Sequence, residues 1–224
     1  MRPFVATVDG YEAGLDAVER QVIASLVADV VQLLGSEVTA EPVPGRTEQL
    51  DDASPLGLTT PPRRTEPPED PAVRRLLPDV SGDAEVAGEF RRLTEDDLRR
   101  TKVERLVAFW HLLQDPGATL TVRRKQGAEL AATLTDVRLV LADRLDLTDD
   151  GRVDALYAEL EQAEDAAEDP AGQPPDPWVM VRRHLGAVYA ALTFLQESLL
   201  TVMLAEMPVD PGRGSVAEHP GPGD

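Results

Sequence analysis

Residues Pro3–Val8 (PFVATV) have short strand character, and Asp9-Gly10 is a turn signal from which Tyr11-Glu12 can return as a second strand. A helix pattern follows. Asp16 and Glu19 stand three apart, as a capping box requires, ahead of one apolar face made by Val22, Ile23, Leu26, Val27, Val30, Leu33 and Leu34. Gly35 closes that helix. Periodicity then disappears, and nine prolines fall between Pro42 and Pro78. Residues 36–93 are therefore expected to be a mobile Pro-rich linker of PPII character. It carries one short docking helix over 70–77, with Asp70 as N-cap, Pro71 at N1, and Leu76-Leu77 as the latch. A weak helical stretch over Ala84–Arg92 is a further expectation.

Thr94 and Asp97 are read as opening the next strong helix, which carries Leu98, Val103, Leu106, Val107, Trp110 and Leu113 and stops at Asp115-Pro116-Gly117. Ala118–Val122 has the look of a strand that could pair with the N-terminal one. A long helix is expected from about Arg123 to Leu145, with Leu130, Leu134, Val137, Leu141 and Leu145 at helical spacing. An acidic helix over about Arg152–Asp165 and a final helix begun by Asp176-Pro177 complete the pattern. That final helix, about 30 residues, exceeds what a small bundle needs, so its overhang is a candidate homodimer contact. Residues 208–224 read as a disordered tail. The expectation is a mainly α fold. It has about four to five long helices, a minor N-terminal β element, and a core over 94–207 joined by strand and first helix from 1–35.

Composition narrows the function. Forty-one acidic against 22 basic residues give a net charge of −19, which disfavours wholesale binding to nucleic acid or an anionic membrane. Aromatics are only 4 %, too few for a base-stacking platform, and the absence of cysteine removes disulfides, thiolate metal sites and thiol redox switching. The longest apolar run, Leu185–Leu195, is 11 residues and is flanked by Arg182, Arg183 and Glu197, short of the roughly 18 a membrane span needs. With no leader-like pattern over the first ten residues, the chain is expected to be soluble and cytoplasmic.

Candidate chemistry is sparse. Asp146, Thr148, Asp150 and Gly151 imitate a calcium loop, yet the position that should carry the closing bidentate glutamate is Tyr157, so a helix cap explains the run more simply. His111 and His184 lie on different helices without metal-ligand spacing, and no nucleophile elbow or phosphate loop is present. No catalytic residue, metal or cofactor is assigned, and an enzyme is not expected. Charge distribution is more informative. Residues 91–125 hold nine basic and five acidic residues, a local net of +4, whereas 143–176 hold twelve acids against Arg144 and Arg152. Arg99, Lys102 and Arg105 fall along one side of a helix at i, i+3, i+6, and Arg123, Arg124 and Lys125 extend that side. These six are the candidate partner-binding residues. The bland reading of the same arginines is pairing with the chain's own surplus acids, worth about 0–1 kcal/mol per exposed pair.

Three stretches carry a resemblance: Arg74-Arg75-Leu76-Leu77-Pro78-Asp79, Thr135-Asp136-Val137-Arg138-Leu139-Val140-Leu141, and Leu192-Thr193-Phe194-Leu195-Gln196-Glu197. With the order of elements, they resemble an actinobacterial domain-of-unknown-function family named for the oxidative-stress transcriptional regulator AosR. The resemblance implies a cytoplasmic transcriptional regulator of the oxidative-stress response, acting through protein contact, with an RNA polymerase sigma factor as the implied partner. The alternative is a dimeric regulator that binds DNA directly, although no helix-turn-helix spacing is evident. A helical bundle binding a small ligand is the third reading.

Overall fold

Three short strands and six α-helices make up the described residues, 1–35, 66–167 and 176–207 of the computed structural model. Strand β1 (Arg2–Ala6) turns at Asp9-Gly10, where the Thr7 amide donates to the Gly10 carbonyl at 2.8 Å, and returns antiparallel as β2 (Gly10–Gly14). A third strand, β3 (Thr119–Arg123), pairs antiparallel with β2 to give the order β1-β2-β3. Phe4, Tyr11, Ala13, Leu120 and Val122 point to one buried face, while Thr119, Thr121 and Arg123 face outward.

Helix α1 (Ala17–Leu33) starts at the capping box its sequence suggests: the Glu19 amide donates to Asp16 Oδ1 and the Asp16 amide to Glu19 Oε2, both at 2.8 Å. It ends at Gly35, whose φ of +79° favours glycine. Helix α2 (Pro71–Leu76) is capped by Asp70, which accepts from the Ala72 amide at 2.8 Å. Leu76 and Leu77 are 1 % and 5 % exposed, and burial of this kind contributes roughly 1.5–3 kcal/mol per side chain. The helix lies against α4 (Gly127–Arg144), to which Arg75 is tied through Asp143 at 3.2 Å.

Helix α3 runs unbroken from Ala84 to Gln114, so two expectations are corrected. The linker does not extend through residue 93, and Thr94 does not open a helix. Asp83 is the cap, accepting from the Glu85 and Val86 amides, while the Thr94 hydroxyl donates inward to the Phe90 carbonyl at 3.0 Å. The first half of α3 lacks a clean apolar stripe because ion pairs support it: Arg92 with Glu89, Arg100 with Asp97, and Glu95 with both Arg91 and Arg99. Of the expected linker, 36–65 lies outside the described residues, as do most of the loop before α6 and the expected tail 208–224.

The helix expected from Arg123 is also corrected. Arg123 ends β3, a 3-10 turn spans Arg124–Gln126, and α4 begins at Gly127. A Cβ on Gly127 would stand 2.9 Å from Tyr11 Cε2 and 3.1 Å from Met203 Sδ, so this helix start sits against the sheet and the last helix. Helix α5 (Asp150–Ala167) follows, and α6 (Pro177–Ala205) starts under Asp176, which accepts from the Trp178 amide at 2.8 Å. One contiguous core joins Phe4, Val27, Leu76, Leu106, Leu134, Leu156 and Leu195, so 1–35, α2 and 94–207 share it.

By length and composition α6 is the one described helix that could cross a membrane, with a mean hydropathy of 1.5 over its best window and a third of that window buried. Counting the run only as far as Leu195 missed this, because Gln196-Glu197-Ser198 interrupts it with a single charge and the apolar composition resumes from Leu199 to Ala205. Its inner stripe, Leu192, Leu195 and Leu199, is fully buried. The helix packs chiefly on α4 and β1, where the Phe4 amide donates to Ser198 Oγ at 3.1 Å.

Candidate functional site

The six cationic candidates divide into two groups. Arg99 turns inward from α3: its Nη2 lies 2.8 Å from Glu95 Oε1, and its Nη1 donates to the Leu34 carbonyl at 3.1 Å. Glu95 is 4 % exposed. Lys102 also turns inward, with Nζ 2.5 Å from Asp136 Oδ1. Arg124 bridges Glu206 and the Thr7 carbonyl, with its guanidinium 5.8 Å from the Tyr11 ring centre. Burial, and after it the hydrogen bond to Glu206, hold the Tyr11 phenol above its usual pKa. These three cations hold the fold together.

Arg105, Arg123 and Lys125 make no ion pair among the described residues. Arg123 and Lys125 are exposed at the end of β3 and in the following turn. Arg105 is half-buried and lines a small cleft of about 30 Å³ with Phe109, Leu112, Val122, Gln126 and Leu130. Val122 and Gln126 are the chain neighbours of Arg123 and Lys125, but Arg123 points to the sheet face opposite Val122, so of the three cations only Arg105 lines the cleft, while Arg123 and Lys125 stand exposed at the end of β3. Glu129 lines the cleft as well. The i, i+3, i+6 side is therefore not one free face. What it leaves is its last member beside the β3 end.

Three arginines, Arg20, Arg99 and Arg182, serve the ends of helices, a role that charge counting does not reveal. Arg20, 5 % exposed on α1, donates from Nη1 to the carbonyls of Leu112 and Asp115 at 3.2 Å and of Leu113 at 3.5 Å. Those carbonyls close α3, where the backbone has no partners of its own and the helix dipole is negative. Arg99 serves the end of α1 in the same way, and Arg182 serves the end of α4 by donating to the Leu145 carbonyl at 3.0 Å. Arg20 had a sequence signal: it sits on the apolar stripe with Ile23, Ala24 and Val27.

Two of the three signature stretches meet in the core. Arg138 on α4 donates to Gln196 Oε1 on α6 at 2.5 Å and lies over the Tyr189 ring, while Gln196 Nε2 donates to Thr135 Oγ1 at 2.6 Å and to the Ala131 carbonyl at 3.1 Å. Asp136 of the same stretch receives Lys102. In the first stretch Arg75 pairs with Asp143, and Asp79 pairs with the buried Arg91. These polar positions align helices.

The calcium-like run is a helix start. Asp149 accepts from the Arg152 amide at 3.0 Å, and that bond above all holds its carboxyl below the usual aspartate pKa. Arg152 also pairs with Asp146, the residue at φ +58°. Among the described residues no group of three histidines or carboxylates is placed to hold a metal. His111 stands edge-on to Trp110, with ring centres 5.2 Å apart, and His184 lies on the rim of a shallow α1–α6 groove of about 350 Å³.

No curated protein and no solved structure matches the chain. The model of a family described as a domain of unknown function, DUF2017, matches residues 1–203, and the chain belongs to that family.

Proposed function

We propose that this protein is a non-enzymatic regulatory adaptor of the transcriptional response to oxidative stress, working in the cytoplasm by binding a sigma factor of RNA polymerase. The regulatory assignment draws on the resemblance to the AosR-named actinobacterial family. One observation carries the contact surface: in a chain of net charge −19, Arg123 and Lys125 at the end of β3 and Arg105 in the cleft lined by Val122 and Gln126 have no carboxylate paired to them among the described residues. Cations left unpaired amid excess acid are available to a partner's acidic groups, and such contacts speed association and fix orientation. The chain has no cysteine, so any oxidant dependence enters through the partner or through methionine, of which Met180 and Met207 are more than half exposed.

Affinity capture from nuclease-treated native lysate, with and without oxidant, tests this reading. Recovery of RNA polymerase or a sigma factor by the wild-type chain is expected, together with its loss from the R105A/R123A/K125A variant. Loss of every partner on nuclease treatment would replace the adaptor reading with direct DNA binding. Undiminished capture by the triple variant would move the contact elsewhere.

A further inference from the structure

The two edges of the sheet are treated differently. At β1 the pairing is irregular between Arg2 and Val5, and the Phe4 amide is taken up by Ser198 of α6. At β3 the register with β2 is unbroken over five pairs, from Gly10 with Arg123 to Gly14 with Thr119. The Leu15 amide donates to the Ala118 carbonyl at 2.9 Å, which fixes the phase of the ladder. Hydrogen-bonded and non-hydrogen-bonded pairs alternate in an antiparallel sheet, so Leu120 and Val122 bond across to Ala13 and Tyr11. The amides and carbonyls of Thr119, Thr121 and Arg123 then point away from β2. No hydrogen bond among the described residues reaches them. The exposed strand has no proline or bulge, devices by which proteins commonly blunt an open edge.

We infer that this edge is where a protein partner adds an extended acidic segment as a fourth strand beside β3. The inference rests on the adaptor reading above and specifies its mode. Strand addition supplies main-chain hydrogen bonds that do not depend on sequence, and flanking groups then select the side chains. Here the selecting groups are cationic: Arg123 and Lys125 at the end of the edge and Arg105 across the cleft, all without ion pairs among the described residues. The cleft floor of Phe109, Leu112, Val122 and Leu130 offers room for one small apolar side chain. A segment alternating apolar and acidic residues satisfies both. A second copy of this chain fits less well, because edge-to-edge pairing would bring together two molecules of charge −19 and two sets of the same cations.

The test uses the full-length protein and a short synthetic peptide alternating valine and glutamate, with a twin N-methylated at alternate amides and polyglutamate as a charge control. Amide exchange is followed residue by residue. In the free protein Thr119, Thr121 and Arg123 should exchange fast and Leu120 and Val122 slowly. The peptide should slow the first three by about tenfold or more, and the methylated twin should not. Thr121→Pro removes the central outward amide, which an edge position tolerates, and should weaken peptide binding about tenfold while the β2–β3 amides stay protected. R123A/K125A should weaken binding most at low salt.

Equal binding by the methylated twin, or no protection of the three amides at millimolar peptide, overturns strand addition even if Thr121→Pro fails to fold. In that case binding that R123A/K125A still abolishes leaves the adaptor surface standing. Binding indifferent to both the methylation and the charge variant removes strand addition and adaptor surface together. A dimer in sedimentation that Thr121→Pro dissolves would assign the edge to a second copy and overturn the acidic-segment proposal.

Discussion

Lys102 and Asp136 sit 2.5 Å apart with side chains 15 % and 7 % exposed, so neither charge keeps the hydration it has in the unfolded chain. Desolvating both ions offsets much of their attraction, and the pair adds little net stability over an apolar pair of similar volume. Removing one partner is different, because it strands the other charge inside. Lys102→Met is expected to destabilise the protein by about 3–5 kcal/mol, and K102M/D136L to recover most of that loss in urea denaturation. A double variant as unstable as the single one would show that the pair is held by more than its own charges. This separates Lys102 from Arg105 one turn on: alanine at Lys102 perturbs folding, whereas alanine at Arg105 removes a cation from the surface. Spacing along the helix cannot distinguish them, since the choice depends on Asp136, which α4 brings to α3 from 34 residues away. Arg20 shows the converse, because its place on the apolar stripe of α1 already implied burial, and only its carbonyl acceptors were hidden.

Each of helices α1, α2, α3 and α6 begins at an aspartate whose carboxylate accepts from backbone amides, and at α2 that cap does two jobs. Asp70 accepts from the Ala72 amide and pairs with Arg144 of α4 at 2.6 Å, so it closes the helix and fastens it down. The hydrogen bond from Arg144 is the main cause holding the Asp70 carboxyl below its ordinary pKa, against an opposing effect of burial. A depressed folded-state pKa contributes stability that is present above the unfolded value, about 4, and is lost as pH falls through the folded value. Asp70→Asn keeps a good cap and loses the charge. Its urea midpoint should fall modestly at neutral pH, and the gap to wild type should close below about pH 4; a constant gap down to pH 2.5 would refute the linkage. This element was readable in advance, because Asp-Pro before Ala72–Leu77 states both cap and first turn. The hairpin, the capping box of α1 and the start of α6 were legible for the same reason, being local signals. The two parts of helix α3 were legible, Ala84–Arg92 and the stretch that stops at Asp115, but their continuity was not, since ion pairs and a cap at Asp83 carry the helix across the place where the apolar pattern restarts. The boundary between β3 and α4 was hidden too: Arg123-Arg124-Lys125 suits a helix start, and pairing with β2 settles the matter by contacts remote in sequence. As for the candidate site, the cationic residues were visible in the sequence, but which of them remain free depends on carboxylates and carbonyls that only the fold supplies.

Across the whole molecule the decisive quantity is the imbalance of charge around one shared core. With 41 acidic and 22 basic residues, pairing every base with one acid would still leave 19 carboxylates over. Several pairs that do form are exposed, such as Arg100 with Asp97 and Arg152 with Asp146, and are worth about 0–1 kcal/mol each. Added salt weakens those pairs and also screens the mutual repulsion of the unpaired acids, since the screening length is about 10 Å at 0.1 M. The buried pairs, Lys102 with Asp136 and Glu95 with Arg91 and Arg99, are shielded from both effects. Repulsion among the surplus acids should therefore prevail, and the urea midpoint should rise as sodium chloride goes from about 10 to about 300 mM. Urea is the right denaturant because guanidinium would itself screen the charges. A midpoint that falls with salt would mean that the surface pairs carry net stability and that the unpaired acids lie too far apart to repel. If the midpoint rises, an acidic chain that leaves Arg105, Arg123 and Lys125 without an ion pair among its described residues does so against a field that would favour pairing them, which is what a surface kept for an acidic partner requires.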